Sequence, residues 1–309
     1  MPNSPRRKAQ GSLGWDLVQN RSLYVLMIPV VLYFLLFHYV PMYGALMAFQ
    51  DYSPMKGLTG SDWVGLKNFF DFFDSYYFGR ILGNTLIISF LSLLFEFTTP
   101  ILLALMLNEL RSKAFSGVVK TISVFPHFIS LVIVCGIVKD FTGQGGLLND
   151  LLISLGYDGL SMLQKPDLFR PIYILSGIWQ NVGWDSIIYL AALMAIDPTL
   201  YEAAAIDGAG RWRQLFAITL PTLVPTIVVM FILRVGNIMN VGFEKIILLY
   251  NPVNYETSDV IASFVYRKGL IDFQWSYSAA VGLFNSAINL VLLVAANRMS
   301  KKITQSSLW

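Results

Sequence analysis

Three ionisable side chains, Glu96, Asp185 and Arg234, lie in the middle of long apolar runs of this sequence. A charge at the centre of a hydrocarbon layer costs at least about 2.5–3.5 kcal/mol, so such groups turn inward and mark places where something is bound or moved. Counted from the ends of their runs, all three fall at similar depth. Two readings are open: Asp185 or Glu96 neutralises Arg234, or Arg234 meets the carboxylate of an acidic, uronate-containing glycan. Near them the segment "IWQNVGWDSIIY" supplies Trp179, Gln180, Asn181, Trp184, Asp185 and Tyr189. The following apolar run adds Asn237 and Asn240 beside Arg234, and the last run adds Asn285 and Asn289. Flat apolar rings suit the CH-rich faces of sugars, and amides suit their hydroxyls. These residues, with Glu96, form the candidate substrate pathway. Trp179 fits an interfacial belt equally well, and the asparagines fit joints between helices.

Other chemistry has less support. His38 and His127 are the only histidines, and neither has metal-ligand spacing to a partner, so packing or hydrogen bonding is the default reading and no metal site is assigned. Cys135 is the single cysteine, which excludes an internal disulfide. No HExxH, no GxSxG and no pair of aspartates within apolar runs supports an intramembrane protease or lipid-linked glycosyl transferase, so no catalytic residue is assigned. No G-x-x-x-x-G-K-[ST] phosphate loop occurs, so the chain itself should neither bind nor hydrolyse ATP.

These residues need a membrane scaffold to hold them. The chain has 309 residues, 55% hydrophobic and 13% charged, with a mean hydropathy of +0.59. Soluble domains carry about 25% charged residues, so the class is an integral, all-α, polytopic membrane protein. Six windows of about 20 apolar residues can cross the hydrocarbon: 22–49, 81–107, 118–138, 172–196, 222–241 and 277–296. Pro29, Pro41, Pro100, Pro126 and Pro225 predict kinks in or near them. Basic residues cluster before the first span (Arg6, Arg7, Lys8, Arg21), around the second connection (Arg111, Lys113, Lys120), in the fourth (Arg211, Arg213) and after the last span (Arg298, Lys301, Lys302). The positive-inside rule places these segments, and so both termini, in the cytoplasm. The other connections, about 50–80, 139–171 and 242–276, carry mixed charge and belong outside. The reading is a cytoplasmic tail over 1–21, a transmembrane domain over 22–298 and a second tail over 299–309.

Between the fourth and fifth spans lies "DPTLYEAAAIDGAGRWRQLFAITLP", residues 197–221. Asp197-Pro198 ends one span and opens a short helix, and glycines close it. Ala203 and Ala204 leave room for close approach of another surface, and Glu202 offers that surface a carboxylate. A helix clamped between two spans suits mechanical coupling. An idle, solvated surface helix would have a similar composition.

A resemblance weighs in favour of the coupling helix. Glu202, Ala203, Ala204 and Gly208, then Ile218, Leu220 and Pro221, resemble residue for residue the EAA---G---------I-LP signature of type I ABC importer permeases. Asn84-Thr85, Phe125-Pro126, "GGLLN" at 145–149 and "LAALMAIDPTLYEAAAIDGAG" look like the same family, and the final third resembles its oligo- and polysaccharide subgroup. The resemblance implies a coupling helix, with Glu202, Asp207 and Gly208 among its contacts, that docks on a separate ATP-hydrolysing subunit carrying ATP and Mg. It implies a second, related permease as heterodimer partner, an extracytoplasmic solute-binding protein, a carbohydrate substrate and a bacterial inner-membrane location. An ion-coupled secondary transporter using Glu96 and Asp185 is the competing class, although such carriers usually show internal repeats.

Overall fold

The computed structural model describes residues 20–110, 112–156 and 161–304. Arg6, Arg7, Lys8, Arg111, Asp158 and most of both tails lie outside the described residues, as does the side chain of Lys302. Among the described residues the regular structure is helical, with one small exception. Helix α1 (Arg21–Phe49) ends in a two-residue antiparallel ladder in which Gln50 pairs with Trp63 and Asp51 with Asp62. Further along run α2 (Phe78–Asn108), α3 (Lys113–Val124), α4 (Leu131–Thr142) and α5 (Pro166–Met194). They are followed by α6 (Pro198–Ile206), α7 (Arg211–Gly236), α8 (Phe243–Leu249), α9 (Ile261–Tyr266) and α10 (Trp275–Thr304).

Five of these helical stretches are long and apolar enough to span a bilayer by themselves or with a short continuation, and the bent pair α5–α6 makes the sixth. The expected third span, 118–138, is not one helix. It is α3 and α4, separated by a 3-10 turn Phe125–Phe128 and by Ile129 and Ser130 in extended backbone. Pro126 lacks the N–H that would continue the ladder. His127 then anchors the break on α5: its Nδ1 lies 3.0 Å from the Asn181 side-chain oxygen, and its ring stacks on Trp184 at 4.5 Å with 4° between planes. Gly183 lets the α3 backbone touch α5, because a Cβ there would overlap the carbonyl of Ser123.

Prolines also explain three of the four widened turns among the described residues; the fourth, Arg267–Ile271, has no proline after it. π-helical segments occupy Leu35–Tyr39, Ser92–Glu96 and Leu215–Thr219, each shortly before Pro41, Pro100 or Pro221. A proline leaves the carbonyl four residues back without its partner, and the helix relaxes by inserting an extra residue. Glu96 is the carbonyl that Pro100 leaves free, so the widened turn is also what aims this carboxylate.

α5 is the central element. Its first half packs with α4 and α8 around Phe169, Tyr173, Ile246 and Leu249, and its second half joins α2 and α7 around Ala104, Tyr189, Leu193 and Leu223. A third cluster binds the start of α2 to α9 and α10 through Phe72, Ile81, Phe264 and Val281. A polar knot fixes the 254–267 segment at that end of the bundle. Asp259 is fully buried and takes both guanidinium nitrogens of Arg267, at 2.6 and 3.2 Å. Asn84 donates to the carbonyls of Glu256 and Asp259 and accepts from Arg170 at 2.8 Å. Thr85 accepts the Ile261 N–H at 2.9 Å. Asn84-Thr85 therefore acts as a clamp between α2 and a segment far away in sequence. α1 contrasts with all this: its apolar window is 0% buried within the chain, and only its last turns lie along α10.

Candidate substrate pathway and coupling helix

Two chambers lie between α2, α5 and α7. The distal one, away from α6, has a volume of about 340 Å³ and is lined by Ser89, Glu96, Tyr173, Gln180, Asn237 and Lys245, among others. The proximal one, about 270 Å³, is lined by Glu96, Pro100, Asp185, Tyr189, Arg234 and Asn237. Glu96 and Arg234 line both. They form an ion pair at 2.7 Å where the chambers meet, with the Arg234 side chain 45% exposed and that of Glu96 17%.

The three predicted mid-bilayer charges do converge, and Glu96 rather than Asp185 takes Arg234. Asp185 faces the proximal chamber and has no ion pair among the described residues. Gln180, Asn181, Asn237 and Asn240 line the distal chamber, and Tyr189, 2% exposed, lines the proximal one. Asn285 and Asn289 do something else. Both donate to the Asn240 side-chain oxygen, at 2.9 and 3.2 Å, and Asn289 accepts the Met239 N–H at 3.0 Å. They join α10 to the end of α7. Trp179 and Trp184 do not line either chamber; Trp179 is 45% exposed and Trp184 covers His127.

Lys245 was not singled out from the sequence. It lies in "GFEKIILL", inside a connection whose charges look like those of a solvated loop. In the structure α8 folds back onto α5, and Lys245 is 7% exposed. Its ammonium donates to the Tyr173 carbonyl at 2.7 Å and lies over the Tyr173 ring at 4.5 Å from the centroid. A lysine placed four residues before a Leu-Tyr helix end on the same face as Ile246 and Leu249 was the available signal. Gly177 makes the packing feasible: a methyl group there would overlap the Glu96 carboxylate and lie 3.1 Å from the Lys245 ammonium.

At the proximal end, α5 and α6 meet at 66°. Asp197 caps α6 by accepting the Thr199 N–H at 2.9 Å, with Pro198 in the first turn. The backbone N–H of Thr199, and then its hydroxyl, hold the Asp197 carboxyl below the usual carboxylate range. Gly208 ends the helix at φ +77, with its N–H on the Ala205 carbonyl and the Ala209 N–H on the Ala204 carbonyl. This is a Schellman stop, which needs the left-handed residue that glycine supplies. Tyr201 turns inward onto the α5–α7 cluster, with Ile218 beside it, and its hydroxyl lies 2.9 Å from that of Thr219. Leu220 and Pro221 follow at the start of the straight part of α7. Glu202, Ala203, Ile206 and Asp207 point to the outside of the chain, and Ile206 is 87% exposed.

A bundle of apolar helices with a charged central cavity, and one capped helix presented at its end, defines the membrane subunit of a transporter. Residues 96–305 match the binding-protein-dependent transport system inner membrane component family, and the chain belongs to it. Over 294 residues it is 46% identical to the polygalacturonan/rhamnogalacturonan transport system permease protein YteP of Bacillus subtilis (strain 168), covering 95% of this chain and 92% of that one. It is 43% identical over 310 residues to protein LplB of the same organism, covering 99% and 98%. A chain of the crystal structure of a bacterial alginate ABC transporter, in complex with alginate pentasaccharide-bound periplasmic protein, is similar at a TM-score of 0.89 and 46% identity. That similarity covers 96% of this chain and 99% of that one.

Proposed function

We propose that the chain is one permease subunit of an ABC importer that moves acidic polysaccharide fragments inward. The observation that carries the substrate class is the distal chamber, where two cations, Arg234 and Lys245, meet one carboxylate, Glu96, in a wall that also holds Gln180, Asn181, Asn237 and Asn240. The surplus cation suits a uronate, and the amides suit its hydroxyls. The relatives named for polygalacturonan and alginate support the same reading.

Membership of the family supports the remaining parts of the reading. ATP and Mg belong to a separate ATPase, on which α6 docks through Glu202, Ala203, Ala204, Asp207 and Gly208. A related second permease completes the pore as a heterodimer. A solute-binding protein delivers cargo to the distal end, and both termini and α6 face the cytoplasm. Stimulation of ATP hydrolysis in the assembled transporter tests this reading, with oligogalacturonate or alginate fragments compared with neutral oligosaccharides of the same length. Stimulation by the acidic fragments is expected. Uptake that survives loss of the ATPase and collapses with an uncoupler would instead show an ion-coupled carrier.

A further inference from the structure

The cations of the distal chamber are not equivalent. Arg234 is already neutralised: Glu96 holds it at 2.7 Å across the boundary with the proximal chamber. Lys245 is not. Its described polar contacts are the carbonyl and ring of Tyr173, and among the described residues no carboxylate lies within ion-pair distance. The Glu96 carboxylate is a neighbour across Gly177, but it is beyond ion-pair distance and engaged by Arg234, so this buried ammonium has no counter-ion of its own to offset its desolvation. α8 nevertheless keeps it at the chamber wall, with Ile246 and Leu249 fully packed on either side. The proximal chamber has the opposite balance, with Glu96 and Asp185 against Arg234. A carboxylate is thus favoured on the distal side of the Glu96–Arg234 pair and disfavoured beyond it.

We propose that Lys245 is the specificity-determining residue of the pathway: its ammonium takes the carboxylate of an acidic sugar unit in the distal chamber, while the Arg234–Glu96 pair forms the boundary that the sugar passes next. This rests on the acidic-polysaccharide reading above. It assigns the reading of charge to a residue of the α7–α10 connection, so α8 must stay docked on α5 for the chamber to discriminate. Tyr173 and Gly177 are positioning residues, one orienting the ammonium and the other leaving room for it.

The test uses the complete transporter in proteoliposomes, with oligogalacturonate and its fully methyl-esterified form as probes. The measured quantity is the ratio of transport efficiencies, acid over ester. The binding protein's own preference enters the parent and the variants equally and cancels when their ratios are compared. Losing one charge-assisted hydrogen bond should lower the ratio about tenfold in Lys245→Met. Lys245→Arg should keep most of it. Lys245→Gln preserves a donor to the Tyr173 carbonyl and serves if the methionine variant does not assemble; it too should lose the ratio. Arg234→Met should slow acid and ester alike. An unchanged ratio in an assembled Lys245→Met or Lys245→Gln transporter overturns the proposal, as does a ratio lost in Arg234→Met and kept in Lys245→Met. A parent transporter with no preference for the acid removes the acidic-polysaccharide reading itself, a result distinguishable because it appears before any substitution is made.

Discussion

α6 and the Glu96–Arg234–Lys245 cluster place charge by opposite means. In α6 every determinant is local: Asp197 caps, Pro198 starts, Gly208 stops, and Glu202 is left on the outer face. In the cluster, Glu96, Lys245 and Arg234 come from three helices and meet only because α5 supplies a bare Cα at Gly177 between two of them. The outward charge costs the chain little and, on the docking proposed for α6, serves a partner. The inward charges are costly unless paired, so the fold has to be built around them. Exposed function can therefore be altered without touching stability, whereas changes to the cavity must act on both.

The largest effect expected from that contrast is at Glu202. Glu202→Arg should reduce substrate-stimulated ATP hydrolysis by more than tenfold, with thermal stability in detergent moved by no more than about 0.5 kcal/mol, the usual range for an exposed site. A large loss of stability in the free permease would show that α6 is held by contacts this structure lacks. Gly208→Val should uncouple as well, and should also unwind the end of α6, since a β-branched residue is poorly tolerated at φ +77. Hydrogen exchange over 198–209 separates the two variants.

Glu96→Gln and Arg234→Met come next, and here transport and stability should fall together. Arg234 is about half exposed, so solvent discounts the pair, and a double-mutant cycle should return a coupling of about 1 kcal/mol. Transport should fall several-fold in each single variant. A coupling near zero would mean that Glu96 is held by its widened turn alone, and the boundary between chambers would then be steric rather than ionic.

The same contrast explains what could be read in advance. The apolar windows near 22–49, 81–107, 172–196, 222–241 and 277–296 all correspond to helices, because bilayer thickness imposes their length. The bounds of α6 were legible because caps are local chemistry. The third span was not, since Pro126 announces a kink but its resolution into α3 and α4 depends on Gly183, Asn181 and Trp184 of another helix. Lys245 was hidden for the same reason. Its contact with Tyr173 spans 72 positions, and the charge of the surrounding connection resembles that of a loop in water. Asn285 and Asn289 suit a pathway by residue type, but both donate to Asn240, and Asn289 also accepts the Met239 N–H, whereas the buried Asn285 side-chain oxygen has no partner among the described residues.

A smaller effect is expected at Tyr201, the one residue among those described through which α6 holds α7 by a side-chain hydrogen bond. Tyr201→Phe keeps the ring in its apolar cluster and removes only the contact with Thr219. Stability should change by about 1 kcal/mol at most. Stimulated ATP hydrolysis should fall about twofold if that bond helps to transmit movement between the helices, and unchanged stimulation would assign transmission to the covalent connection and Ile218 packing alone.

The smallest effect separates the capping charge of α6 from its proposed docking charge. Asp197 has a carboxyl held below its ordinary value by Thr199, so the folded helix prefers the ionised form. The stabilisation is therefore complete above the ordinary carboxylate range and is lost as pH falls through the lowered value. At neutral pH the cap is fully present, and transport should show no pH dependence from it. Hydrogen-exchange protection of 199–206, measured from neutral to acid pH, should decline at the acid end in the parent. Asn caps a helix as well as Asp does without titrating. Asp197→Asn should therefore keep the neutral-pH protection and abolish its decline, and Asp197→Ala should lose a few-fold at every pH. A parallel decline in the Asn variant would trace the pH effect to another group and leave the Asp197 carboxylate with no part in it.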